Sequence, residues 1–110
     1  MSDYWEIINK FTAQAQDILR GHMVKAILYG SYARGDYDDN SDIDLMFLTT
    51  LPEDEIRAEK DKLYDLAFDY EMEYGVDISV IVKNIAHFDY WLGALPFYDN
   101  INREGEILRG

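Results

Sequence analysis

The chain has 110 residues, two prolines and no cysteine, and its 22 acidic side chains against 10 basic ones give a formal charge of −12. This length suits one domain with one hydrophobic core, and 48% hydrophobic with 15% aromatic residues excludes a disordered acidic tail. The absence of thiols excludes a disulfide framework, thiolate catalysis and thiolate-bound metal centres, while the surplus of acid argues against direct nucleic-acid binding and favours metal ions and basic partners.

Met1-Ser2-Asp3 is acidic where a secretory signal is basic, and no apolar run approaches the roughly 20 residues of a membrane span. The expected compartment is therefore the cytoplasm, with no membrane partner. Residues 3 to 20 are predicted as a helix, because Trp5, Ile8, Phe11, Ala15, Ile18 and Leu19 recur on one face. Asp3 with Glu6 offers a capping box, and Gly21 a stop. Val24 to Tyr29 reads as a short strand ended by Gly30. After a stretch dense in glycine, aspartate and asparagine, residues 42 to 48 read as a second strand, alternating at first and then wholly apolar. A helix is expected from about Pro52 to Tyr74, closed by Gly75. Val76 to Val82 alternates and is β-branched, a third strand. Helical patterning resumes at Asn84, with Phe88, Trp91 and Leu92, and again over Phe97 to Arg103, before a last short strand at Ile107 and Leu108. The order predicts an α+β fold: one mixed sheet flanked by helices, with residues 1 to 110 as a single domain. Trp5, Phe11, Phe88, Trp91 and Phe97 are expected in the core.

The chemical anomaly is the density of aspartates at positions 36, 38, 39, 42 and 44. A solvated acidic turn accounts for the first three. Asp42 and Asp44, two residues apart at the head of an apolar strand, aim their carboxylates to one face and repel each other unless a cation lies between them. Asp77 opens another apolar strand. If the two strands are neighbours, three carboxylates converge at one end of the sheet, an all-oxygen set that suits magnesium. Such a set could hold two ions about 3.5 to 4 Å apart for phosphoryl displacement. A calcium-binding loop starting at Asp36 is excluded because Ser41 and Phe47 stand where glycine and glutamate are required. A phosphate-binding P-loop is excluded because Asp36 stands where lysine is required. Gly30-Ser31, directly after the first strand, lets a phosphate approach the backbone and the serine hydroxyl.

Gly30-Ser31, ten intervening residues, Asp42-Ile43-Asp44, and Asp77 on a later strand resemble the signature of the polymerase-β-type nucleotidyltransferase superfamily. Within it, Gly-Ser-Tyr-Ala-Arg-Gly at 30 to 35, Ser-Asp-Ile-Asp-Leu at 41 to 45 and the closing segment from Pro96 to Gly105 are similar to the minimal nucleotidyltransferases, the MNT group. The resemblance implies transfer of a nucleoside monophosphate, usually from ATP, with two magnesium ions. Asp42 and Asp44 would bridge the metals. Asp77 would bind the catalytic metal and help deprotonate the acceptor hydroxyl, while Gly30 and Ser31 would hold the triphosphate. Many MNT proteins are antitoxins of HEPN ribonucleases, and some silence the toxin by attaching AMP to a tyrosine. The expected reading is thus an adenylyltransferase antitoxin in a hetero-oligomer with a HEPN toxin that completes the site. Its alternatives are a non-catalytic acidic antitoxin that masks a basic toxin and a nucleotidyltransferase of small molecules such as antibiotics. Arg34 either contacts the phosphates of the nucleotide or positions the acceptor, or it pairs with the adjacent aspartates. For Lys83 and Arg103 a phosphate or partner contact is the less favoured role, and His22 and His87 are expected to be incidental.

Overall fold

The computed structural model describes residues 4–109. Nine elements follow one another: α1 (Tyr4–Ile18), β1 (Met23–Tyr29), α2 (Ser31–Arg34), β2 (Ile43–Thr49), α3 (Glu53–Tyr74), β3 (Ile78–Asn84), α4 (Ile85–Trp91), α5 (Pro96–Glu104) and β4 (Glu106–Arg109). The capping box expected at Asp3 lies outside the described residues. The other predicted elements form, with shifted ends. Pro52 is the cap residue just before α3, and Pro96 is the first residue of α5, where its missing N–H has no cost. The four-residue α2 is too short to announce itself by periodicity.

The four strands make one mixed sheet in the order β3-β2-β1-β4. β1 pairs antiparallel with both β2 and β4, while β2 and β3 are parallel. Parallel neighbours need a crossover, and the 22-residue α3 provides it. Alternation sorts the side chains of β2 between two cores. Ile43, Leu45 and Phe47 pack with Leu28, Ile78 and Val80 against Ile8 and Phe11 of α1 and Leu63 of α3. Met46 and Leu48 pack with Ile27 against Phe88 of α4 and Tyr98 and Ile101 of α5. β2 is covered on both faces, which explains why its second half is a continuous apolar run. Phe11 stacks on Phe47 with centroids 6.3 Å apart and meets Tyr70 edge-on at 5.1 Å.

Two residues expected in the core lie elsewhere. Trp91 and Phe97 are 39% and 47% exposed, because α4 and α5 are short and fully bury only Phe88, Tyr98 and Ile101 against the sheet. No helix among the described residues is long and apolar enough to cross a membrane.

Candidate active site

The site forms where β1 ends. Tyr29 is paired with Asp44 of β2, and the chain then turns at Gly30, whose φ of 76° and ψ of −154° belong to a region that essentially only glycine occupies. That turn starts α2 at Ser31. The Gly30 carbonyl accepts hydrogen bonds from the N–H groups of Ala33 and Arg34, both at 3.1 Å. As in any helix, the first N–H groups of this turn have no partner within it. Glycine is required for a second reason: a β-carbon at position 30 would collide with the Asp44 carboxylate.

Gly30, Ser31, Arg34 and Asp44 line one cavity of about 380 Å³, whose other wall is Tyr29 together with Phe97, Asn100, Ile101 and Glu104 from α5. Burial, and then the charge of Asp42, raises the Asp44 carboxyl above its ordinary value, and Arg34 opposes the shift. The Tyr29 phenol is pushed up to about 12 by burial and by the Asp44 charge. Arg34 donates to Asp36 at 3.1 Å and faces Glu104 at 3.5 Å, contacts that raise its already high pKa. Arg34 thus pairs with a neighbouring aspartate, and it also lines the cavity.

Asp42 and Asp77 each stand one residue before a strand. The β2–β3 register matches Ile43 with Ile78, and the Ile43 N–H donates to the Asp77 carbonyl at 2.9 Å, so Asp42 and Asp77 are side by side along the backbone. Their side chains do not line the Gly30 cavity. The Asp77 carboxylate lines a separate depression with Glu71 of α3. A hydrogen bond to Asp77, the Asp77 charge, burial and the Asp42 charge together raise the Glu71 carboxyl above its ordinary range. Among the described residues, no group of three or more His, Asp or Glu side chains is arranged to hold a metal ion. Asp42 and Asp44 nevertheless form an oxygen-only donor pair, crowded enough to raise Asp44, and such a pair fits magnesium.

Of the other residues weighed in the sequence, Lys83 lies on β3 opposite Leu48, towards the other end of β2 from Asp44. Arg103 donates to Asn100 at 2.7 Å, beside the cavity wall. His22 contacts Thr50, and His87 sits near Tyr98. The sequence reading left Asn100 and Glu104 without a role, and only the likeness of the Pro96–Gly105 segment to the MNT group pointed towards them.

The family described as nucleotidyltransferase domain matches residues 8–105 by its sequence profile. Two proteins of Methanocaldococcus jannaschii are similar to the chain. "Putative protein adenylyltransferase MJ0604" is 34% identical over 92% of this chain and 93% of its own length. "Putative protein adenylyltransferase MJ0141" is 40% identical over 70% of this chain and 76% of its own length. Among solved structures, a toxin–antitoxin complex with AMP-PNP shares the fold with a TM-score of 0.59 and 19% identity, covering 93% of this chain and 73% of the other. A "putative nucleotidyltransferase from Sulfolobus solfataricus" does so with a TM-score of 0.53 and 18% identity, covering 93% and 76%. A mutant form of the toxin–antitoxin MntA-HpeT gives a TM-score of 0.56 at 17% identity, covering 93% of this chain and 73% of the other. With a profile matched over nearly its whole length and a Gly-Ser turn set against an aspartate of the central strand, this chain belongs to the nucleotidyltransferase domain family.

Proposed function

We propose that the protein is a magnesium-dependent protein adenylyltransferase that transfers AMP from ATP to a hydroxyl of a cognate HEPN toxin, a tyrosine hydroxyl being the expected acceptor, and so acts as its antitoxin in the cytoplasm. The observation that carries this reading is the cavity in which Gly30, Ser31 and Arg34 meet Asp44. A backbone without a side chain, a hydroxyl, a guanidinium and a carboxylate are the groups a metal-bound triphosphate needs. The names of the Methanocaldococcus relatives and the AMP-PNP bound to a toxin–antitoxin complex of the same fold support the reaction and the class of partner.

In this reading Gly30 admits the phosphates, Ser31 donates to their oxygens and Arg34 offsets their charge. Asp42 and Asp44 would hold magnesium; Asp77, beside Asp42 along the backbone but hydrogen-bonded to Glu71, would join them as third ligand only on turning its carboxylate away from Glu71. The metal would supply charge stabilisation on the oxygens of the transferred phosphoryl group. The acceptor oxygen bonds to the α-phosphorus, the bond to the bridging oxygen of the β-phosphate breaks and pyrophosphate leaves; the hydroxyl proton would pass to the Asp77 carboxylate once it is turned from Glu71 towards Asp42.

The test is incubation with α-labelled ATP, magnesium and the cognate toxin. Labelled toxin is the expected result, and the Asp42→Ala/Asp44→Ala variant should give none while remaining folded. The net charge of −12 favours a second reading, stoichiometric masking of a basic toxin. Full neutralisation by the double variant at equal concentration would decide for masking over transfer.

A further inference from the structure

β3 is an edge strand, and among the described residues it pairs with β2 alone. It runs for seven residues in unbroken register, with no proline, and its one charged residue is Lys83. Such an edge is a ready template for another strand. Beside it, α3 presents Tyr64, Phe68 and Met72 at four-residue spacing on one face, and they are 48%, 59% and 71% exposed.

Helix and strand enclose a groove with Tyr64 at its middle. On one side Tyr64 joins Phe68, Glu71, Asp77 and Ile78 around a depression of about 240 Å³. On the other it joins Arg57, Lys60, Val82 and Lys83 around one of about 180 Å³, with Glu53 as the lone carboxylate there. The groove is therefore bipolar. Arg57, Lys60 and Lys83 take part in none of the ion pairs among the described residues, although the whole chain has only 10 basic side chains for 22 acidic ones.

We propose that this flank is a self-complementary interface for a second copy of the chain, with a twofold axis passing Val80 of β3 and Tyr64 of α3. Antiparallel pairing of two β3 edges about Val80 sets Asp77 of one copy opposite Lys83 of the second copy, and Ile78 opposite Val82. The two α3 helices then lie antiparallel on the same face of the joined sheet. A crossing at Tyr64 sets Arg57 against Glu71 of the second copy and Lys60 against Phe68 of the second copy. The two registers agree because Tyr64 already lies between the Ile78 and Val82 ends of β3. An isologous contact requires such self-matching. A uniformly basic partner would meet three cations at one end of the groove, so a toxin of that charge would dock elsewhere. The inference does not depend on the transfer reaction.

The test is sedimentation equilibrium of the full chain at moderate salt, which screens the mutual repulsion of two acidic bodies. A mass twice 12.9 kDa is expected. Arg57→Glu and Glu71→Arg, both at exposed positions, should each halve that mass, because each sets like charges together twice in a symmetric pair. An equimolar mixture of the two variants should restore it, since both cross-copy pairs become opposite in sign. Lys83→Glu gives a further disruption on the strand side. Wild type at single-chain mass throughout, single variants that still dimerise, or a mixture that stays at single-chain mass would each overturn the proposal.

Discussion

Gly30 and Asp44 approach so closely that no side chain fits at position 30: a β-carbon there would overlap the Asp44 carboxylate. The contact follows from pairing Tyr29 with Asp44 across β1 and β2, which leaves the next residue of β1 to turn beside the carboxylate. Gly30→Ala should therefore act twice. It places a side chain at φ 76° and ψ −154°, at a cost of about 1 to 3 kcal/mol, and it displaces the carboxylate that faces the cavity. A lower urea midpoint, together with a loss of label transfer of at least about a hundredfold, is the expected pair of results. Unchanged transfer would separate the turn from the chemistry.

Asp44 predicts an opposition between stability and activity. Its folded-state pKa is raised by burial and by Asp42, so the folded state binds the proton more tightly than the unfolded chain does. The stability this group contributes is present below its unfolded pKa and is lost as pH rises through the folded value. In the metal-free protein at neutral pH, Asp44→Asn should raise the melting temperature. That advantage should shrink as the pH falls through the raised Asp44 value. Transfer should fall about a thousandfold, since several kcal/mol of metal-borne stabilisation is lost. Thermal scans in a chelator across that pH range, paired with the labelling assay, check both directions.

How far the sequence foretells this site depends on how local each piece is. The Asp42-Ile43-Asp44 alternation and the Gly30 turn are local patterns, and the helices and strands they belong to form where periodicity puts them. The parallel pairing of β2 with β3 is not local, because it depends on α3 crossing between the two strands. The α5 wall was out of reach because Phe97, Asn100 and Glu104 join Gly30 through packing on β1 and not through spacing. Phe97 read as core because an apolar residue in a short amphipathic helix gives no sign that its face borders a cavity. Asp77 shows the converse limit. Its place at the head of a strand is legible in the sequence, yet its carboxylate meets Glu71 of α3, a contact decided by side-chain direction one residue outside the strand.

Arg34 bridges Asp36 and Glu104 at the edge of the cavity, so phosphate oxygens must compete with two carboxylates for one guanidinium. Arg34→Ala should raise the KM for ATP about tenfold and leave kcat within about threefold, the signature of lost ground-state binding. Glu104→Gln frees the guanidinium from one competitor and should lower the KM. Steady-state labelling at varied ATP resolves the two. A fall in kcat alone for Arg34→Ala would assign that residue to the transition state instead.

Gly105 offers a way to move the cavity wall without touching a group that faces the nucleotide. It caps α5 with φ −70°, which any residue adopts, so its requirement is purely spatial: a β-carbon there would press on the Ile101 carbonyl and the Ile27 side chain. Backbone on one side and a central strand on the other leave little room to yield, and overpacking of this kind costs about 1 to 3 kcal/mol. Gly105→Ala should therefore lower the denaturant midpoint with an unchanged slope. Ile101 also anchors α5 in the core shared with Met46 and Leu48, so its displacement shifts Asn100 and Glu104 relative to Gly30. The KM for ATP should rise while kcat changes less. If stability falls and KM stays constant, α5 is only a support, and the nucleotide is held entirely by the turn and by Asp44.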